Sequence, residues 1–176
     1  MTEEIKINNV ENFVNIEVTE ISDISKIIQQ MIEIKKTDIK SSGKKTKPYS
    51  VIDKIKLNEI SMNTSVLIHK YHVEAYDIIE DAIGCLSKYE PCIANDLFDY
   101  YFEIYIDVLD EMKISYDDTI KIKENSDEIY KSVMLKVREK IYLNKKTEIA
   151  LNKQQTYISA ITAYVFYKCK FLIAIE

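Results

Sequence analysis

The only two histidines of the chain, His69 and His72, lie three residues apart in a segment with helical periodicity. Residues at i and i+3 share one side of a helix, so the two imidazoles could bind one metal ion. Carboxylates to complete such a site are present at Glu103 and Asp107. However, the paired Glu-x-x-His motifs of di-metal bundles and the His-Glu-x-x-His motif of zinc peptidases are both absent. We therefore predict no metal site and no cofactor.

The residue types that nucleophilic catalysis and nucleotide binding require are scarce. No Gly-x-Ser-x-Gly motif is present, and two histidines offer few general bases. Gly43 and Gly84 are the only glycines, so the sequence has no glycine-rich loop for phosphate. Arg138 is the only arginine, which leaves no arginine cluster to clamp carboxylate or phosphate groups. These observations favour a protein that is not an enzyme.

The three cysteines, Cys85, Cys92 and Cys169, are odd in number and have no Cys-x-x-Cys spacing. This usage predicts three buried thiols in a reducing compartment. No charged start followed by an apolar run, as in a secretory signal, is recognisable in the sequence. We expect an intracellular, cytoplasmic protein.

The composition indicates the kind of genome that encodes the chain. There are 23 lysines to one arginine, 30 isoleucines to 9 leucines, and no tryptophan. Lysine and isoleucine codons can be written with A and T alone, whereas most arginine codons need G or C. We infer a very AT-rich genome, such as that of a virus, a mobile element or a low-GC microbe.

Two glycines and two prolines in 176 residues are too few for the turns of a β-sandwich or a doubly wound α/β fold. Apolar residues instead recur at steps of three and four over long stretches. We predict an all-α fold in which about six helices form a bundle, as one domain over residues 1–176. The predicted helices span 22–36, a short segment from residue 50, 64–87, 91–112, a segment opening at 125–128, and 147–174.

Two segments interrupt the helical pattern. Residues 1–21 contain alternating apolar and polar residues, which predicts a short N-terminal β-hairpin or an extended arm. Residues 37–49 have no apolar period, which predicts a flexible, lysine-rich loop. This loop could bind a phosphate backbone, so one alternative function is that of a nucleic-acid-associated helical subunit. The lysines of this alternative site are Lys40, Lys44, Lys45 and Lys47.

Two shorter stretches also predict local structure. The alternation in Ile120-Lys121-Ile122 predicts a short extended segment. The apolar stretch Tyr157–Ile175 is interrupted by Lys168 and Lys170, whereas a membrane-spanning helix needs about 20 apolar residues. We therefore predict a buried helix there and no membrane span.

Residues 96–110 contain five carboxylates and no lysine, on the face opposite the apolar stripe of a predicted helix. A surface of like charge could dock a basic partner. Tyrosine is favoured at protein interfaces, and the tyrosines of this segment cover more than one side of the helix. The predicted contact surface consists of Asp99, Glu103, Asp107, Tyr101 and Tyr105.

The charges of the C-terminal half fall into two blocks. Residues 90–128 hold 12 acidic and 3 basic residues, a net charge of −9. Residues 129–176 hold 9 basic and 3 acidic residues, a net charge of +6. The two blocks either pack against each other within one chain or steer self-association.

The last predicted helix, with Ala160-Ile161-Thr162-Ala163 and Tyr167-Lys168, is similar to the apolar tail of the Bcl-2-like helical bundles of AT-rich poxviruses. The resemblance covers about twenty residues. The Asn-Trp-Gly-Arg signature of that family is absent, since the chain has no tryptophan. The resemblance implies a viral groove protein that binds a short amphipathic helix.

Taken together, these patterns predict a non-enzymatic helical protein that acts through protein–protein contact. It would be a subunit of an assembly, which includes self-association, or a binder of a host factor. Charge segregation and the tyrosine-rich helices are the observations that favour this function.

Overall fold

The computed structural model describes residues 19–33, 50–144, 148–168 and 171–174. These residues form seven α-helices and contain no β-strand, which confirms the predicted all-α bundle. The predicted arm and the lysine-rich loop lie outside the described residues, except that residues 19–21 begin the first helix. The helices are α1 (19–33), α2 (Val51–Leu57), α3 (Met62–Ser87), α4 (Ile93–Met112), α5 (Thr119–Glu124), α6 (Ser126–Asn144) and α7 (Leu151–Lys168).

α7 is the central helix of the bundle and packs against α3, α4 and α6. Every residue from Tyr157 to Phe166 is buried, as expected for a helix that neighbours surround on all sides. The predicted buried helix is thus confirmed, although it ends at Lys168 rather than at residue 174. Leu172 has a φ of 60°, a left-handed conformation that a right-handed α-helix does not contain. Among the described residues, none of the helices is long and apolar enough to cross a membrane.

α1 packs against the core through apolar residues that recur along it at steps of three and four. Its inward side chains are at most 1% exposed, and Gln30 Nε2 donates a hydrogen bond of 3.1 Å to the carbonyl of Ile141 on α6. This bond ties the first helix to the sixth across the bundle. The buried apolar residues of α1 are Ile24, Ile27, Ile28 and Met31.

α2 is short but firmly anchored. Ser50 caps its first turn: Ser50 Oγ accepts a hydrogen bond from the Asp53 amide at 3.1 Å, and the Asp53 carboxylate accepts one from the Ser50 amide at 3.3 Å. Lys54 is fully buried; its ammonium donates to the Phe166 carbonyl and lies 4.8 Å from the centre of the Phe166 ring. These contacts fix α2 against the end of α7.

α5 replaces the extended segment predicted from Ile120-Lys121-Ile122, so that prediction is wrong. Asp118 caps the helix, because its carboxylate accepts a hydrogen bond of 3.0 Å from the Lys121 amide. Ile122 is buried, whereas Ile120 is 70% exposed. The Ile-Lys-Ile alternation therefore belongs to a short capped helix in which Ile122 is buried and Ile120 is exposed.

Candidate protein-binding surface

Three of the five residues of the predicted contact surface on α4 are buried. Asp99 is 5% exposed, and Tyr101 and Tyr105 are at most 1% exposed. The Tyr101 hydroxyl lies 2.9 Å from Thr162 Oγ1 of α7, and the Tyr105 ring packs edge-to-face against Phe171. Their predicted place on an exposed surface is wrong, because α4 packs against both α6 and α7.

Two other acids of α4, Asp107 and Glu111, face lysines of α6. Asp107 is exposed and lies 4.0 Å from Lys140, while Glu103 is half-buried. One turn further along, the carboxylate of Glu111 pairs with the ammonium of Lys136. Part of the acidic block therefore meets the basic block within one chain, which is one of the two arrangements that the charge pattern predicted.

The structure separates the two histidines of α3. His69 is exposed, whereas His72 is half-buried and packs against the rings of Tyr76 at 5.1 Å and Tyr167 at 4.6 Å. Burial lowers the pKa of His72, and the positive charges of His69 and Lys168 lower it further. In the described part of the chain, no group of three or more histidine, cysteine or carboxylate side chains could hold a metal ion.

Two of the three cysteines differ from prediction. Cys85, near the end of α3, and Cys92, before α4, are exposed free thiols. Both lie beside the polar turn that joins these helices, where none of the described elements covers them. The predictions of buried thiols at these two positions are wrong; Cys169 lies outside the described residues. The predicted nucleic-acid lysines of the 37–49 loop also lie outside them.

A cluster of aromatic and charged side chains joins α3 to the end of α7. The Lys168 ammonium lies 2.9 Å from Glu80 Oε1 and sits over the rings of Tyr76, Tyr164 and Tyr167 at 5.0, 5.7 and 5.8 Å. Burial opposes the charged form of Lys168, but hydrogen bonds with Tyr76 and Glu80 raise the pKa of its ammonium above the ordinary value. The contacts within the cluster satisfy its charges internally, so it holds two helices together.

Of the twelve exposed large hydrophobic side chains among the described residues, five lie on α2 and the first half of α3. These five side chains are between 45% and 76% exposed. We call them the α2/α3 surface: Ile52, Met62, Val66, Leu67 and Val73.

A cleft of about 360 Å³ separates α2 from α3 within this surface. Its walls combine apolar side chains with a hydroxyl, an imidazole and an ammonium group. The lining residues are Ile52, Ile55, Ser65, Val66, His69 and Lys70.

Charges are segregated along the exposed side of α3. Lys70 lies in its first half, Glu74 at its midpoint, and Asp77 and Asp81 in its second half. Within the described residues, none of the four forms an ion pair. The helix therefore presents an apolar and basic half followed by an acidic half.

The sequence interpretation missed this surface, although a signal was present. Within the predicted helix 64–87, the structure buries Ile68 and leaves its neighbour Leu67 52% exposed. Met62, Val66 and Val73 recur at steps of four and seven, which places them on one side of α3, away from α7. This apolar row, on a different side of α3 from its buried residues, was the sequence evidence for an exposed apolar surface.

The chain matches no known protein-family model, and neither a characterised protein nor a solved structure shows significant similarity to it. Its class is defined by its own architecture: a helical bundle around a central buried helix, with an exposed apolar surface beside a charge-segregated helix.

Proposed function

We propose that the chain is a non-enzymatic protein-interaction module that binds an amphipathic helix of a partner along α3, at the α2/α3 surface. The observation that carries this proposal is the cleft between α2 and α3, which Ile52 and Val66 help to line, on a helix that also exposes Met62 and Val73. Single exposed apolar residues are common on soluble proteins, whereas contiguous ones mark interaction sites.

The dimensions of the surface suit a helix. Met62 and Val73 are eleven residues apart, which corresponds to about 16 Å along the axis of α3, or three helical turns. A partner helix with apolar residues at i, i+3, i+4 and i+7 matches this row. The resemblance to Bcl-2-like bundles implies the same mode of binding. The cleft between α2 and α3 is the feature of the described residues that supports this mode.

The charges of α3 also select the partner. A helix that lies along α3 must be acidic opposite Lys70 and basic opposite Asp77 and Asp81. Two synthetic peptides test this: both carry the same apolar face, one with a basic N-terminal half and an acidic C-terminal half, and one with the charges reversed. The first fits an antiparallel partner and the second a parallel one.

The experiment measures binding of both labelled peptides by fluorescence anisotropy. Val66 and Val73 are 57% and 65% exposed, and burying much of both stabilises a complex by about 2 kcal/mol, or roughly 30-fold in affinity. The double variant V66E/V73E is therefore expected to weaken binding at least about tenfold. L143E is the matched control, since Leu143 is 83% exposed at the end of α6. Absence of binding by both peptides, or equal losses in V66E/V73E and L143E, would contradict the proposal.

A further inference from the structure

The exposed side chains of α3 define the order of residue types that a partner helix needs. Val66, Lys70, Val73 and Asp77 follow one another at steps of four, three and four along the exposed side of this helix. A partner helix with apolar, acidic, apolar and basic residues at the same steps places apolar against apolar side chains and opposite charges against each other. The surface therefore specifies a sequence pattern for its partner.

The chain itself contains this pattern once. Read in either direction, the four residue types occur at these steps only at Leu135, Glu139, Tyr142 and Lys146. The first three lie on α6, where Leu135 is 52% and Tyr142 is 42% exposed and Glu139 is exposed as well. Lys146 lies outside the described residues. α6 thus presents to solvent the apolar, acidic and apolar side chains that α3 requires.

We propose that the helix bound along α3 is α6 of a second copy of this chain, in parallel orientation. The inference rests on the proposed function, because it names the partner at the same surface. The parallel orientation follows from the pattern, which matches only when both helices are read from the N terminus to the C terminus. In the part of the chain that the structure describes, neither Lys70 nor Glu139 forms an ion pair, so both charges are available to a second copy.

In the register that matches the pattern, two apolar contacts flank one ion pair. Residues 66–73 of α3 lie alongside residues 135–142 of α6, over about 10 Å or two helical turns. The apolar neighbours exclude water from the ion pair, which strengthens it relative to a pair on an open surface. The facing residues are Val66 and Leu135, Lys70 and Glu139, and Val73 and Tyr142.

The ends of this register bring no like charges together. Met62 comes opposite Lys131, whose aliphatic stem can cover an apolar side chain. Glu74 comes beside Leu143, which is uncharged. Asp77 lies past the described end of α6, where the sequence continues with two lysines.

The contact is heterologous, because it joins two different helices. α3 and α6 both pack against α7, and their exposed side chains lie on the sides that do not contact it. When α3 of one copy binds α6 of a second, the first copy still offers its own α6 and the second its own α3. Contacts of this kind add further copies and produce a ring or an open chain.

Two variants that each disable one helix test the inference. V66E/V73E places charges on the α3 side of the contact, and L135E/Y142E places them on the α6 side. Sedimentation equilibrium up to about 100 µM suits the weak association expected of an interface that one helix pair dominates. The wild type is expected to form concentration-dependent oligomers, whereas each variant alone stays monomeric.

An equimolar mixture of these two variants is the decisive sample. Each variant keeps the helix surface that the other lacks, so the mixture is expected to form a heterodimer and nothing larger. The control variant is I120E, because Ile120 is 70% exposed on α5, outside the contact. I120E should associate as the wild type does.

A charge swap tests the register. K70E and E139K are each expected to weaken association about fivefold, because attraction at the ion pair becomes repulsion. The double variant K70E/E139K restores the pair with its charges exchanged and is expected to associate nearly as the wild type does. K153E is the matched control, because Lys153 is exposed on α7 and the change in net charge equals that of K70E.

A labelled peptide of residues 131–146 separates this inference from the proposed function. The wild type is expected to bind it, and V66E/V73E should bind it at least about tenfold more weakly. A wild type that stays monomeric at every concentration overturns the inference, and the proposed function stands if that protein still binds the designed parallel peptide. Oligomers that persist in either double variant, or a mixture of the two that stays monomeric, also overturn the inference. Circular dichroism of each variant confirms that the helices are retained.

Discussion

Glu80 on α3 and Lys168 at the end of α7 form an ion pair of 2.9 Å, and Glu80 Oε1 also accepts a hydrogen bond of 2.7 Å from the Tyr164 hydroxyl. Tyr164 is only 3% exposed, so this carboxylate satisfies a buried donor as well as a cation. The pair thus links the central helix to the helix that carries the candidate binding surface.

Replacing Glu80 is expected to destabilise the protein by an amount that depends on the replacement. E80A leaves the Tyr164 hydroxyl without its acceptor, which costs about 1–3 kcal/mol, whereas the amide oxygen of E80Q can still accept that bond. Urea unfolding followed by circular dichroism gives both free energies of unfolding. Equal losses in E80A and E80Q would show that Tyr164 does not depend on this acceptor.

Stability is expected to fall as the pH is lowered from 7 to 5, and His72 is the reason. Its pKa in the folded protein lies below the ordinary 6.5, because burial and the charges of His69 and Lys168 oppose protonation. The unfolded chain therefore takes up the proton first, and stability present above pH 6.5 is lost as the pH falls through that value towards the folded pKa.

The corresponding variant is H72Q, which should flatten the dependence of the unfolding free energy on pH between 7 and 5. H69Q is the control, because His69 is exposed, and it should retain most of the slope. A slope that survives in H72Q would assign the proton uptake to another group.

Lys113→Gly is expected to raise stability by about 0.5–1 kcal/mol. Lys113 follows the last residue of α4 with a φ of 57°, a left-handed conformation that glycine adopts without steric cost. Lys131→Gly, within α6, is the opposite case and should destabilise by about 1 kcal/mol. Thermal unfolding of the two variants should move in opposite directions, and a lower melting temperature for K113G would contradict the argument.

Asn58→Ala is expected to release the segment that follows α7. Asn58 Nδ2 donates to the Ile173 carbonyl at 3.0 Å, and Asn58 Oδ1 accepts from the Ile173 amide at 2.8 Å. Loss of both bonds should cost about 2 kcal/mol and accelerate hydrogen exchange at the Ile173 amide. Asn63→Ala, an exposed position on α3, should leave that exchange rate unchanged.

The helices could be predicted from the sequence because apolar spacing of three and four residues requires only local geometry. The cap at Ser50 was predictable for the same reason, since its partner Asp53 is three residues away. Boundaries were less accurate: the predicted last helix reached residue 174, whereas α7 ends at Lys168 and Leu172 is left-handed although it is not a glycine.

The candidate site was harder to predict. The spacing of apolar residues indicates which side of a helix is apolar, but it does not indicate which other helices cover that side. Tyr101 and Tyr105 lie on α4, where Thr162 of α7 contacts the first and Phe171, in the segment after α7, packs against the second. Val66 and Val73 remain exposed because the described elements leave that side of α3 uncovered. Both outcomes depend on the arrangement of helices in space, and no short-range pattern records it.

The contacts of Lys54 and Asn58 also have a consequence for synthesis. They join residues 112 and 115 positions apart in the chain, so α2 leaves the ribosome long before its anchors exist. Loop closure over such a separation is slow compared with the formation of a single helix. The α2 side of the cleft therefore gains these anchors only after Phe166 and Ile173 have been added, and in a nascent chain that stops at α6 the α2 wall of the cleft would lack both of them.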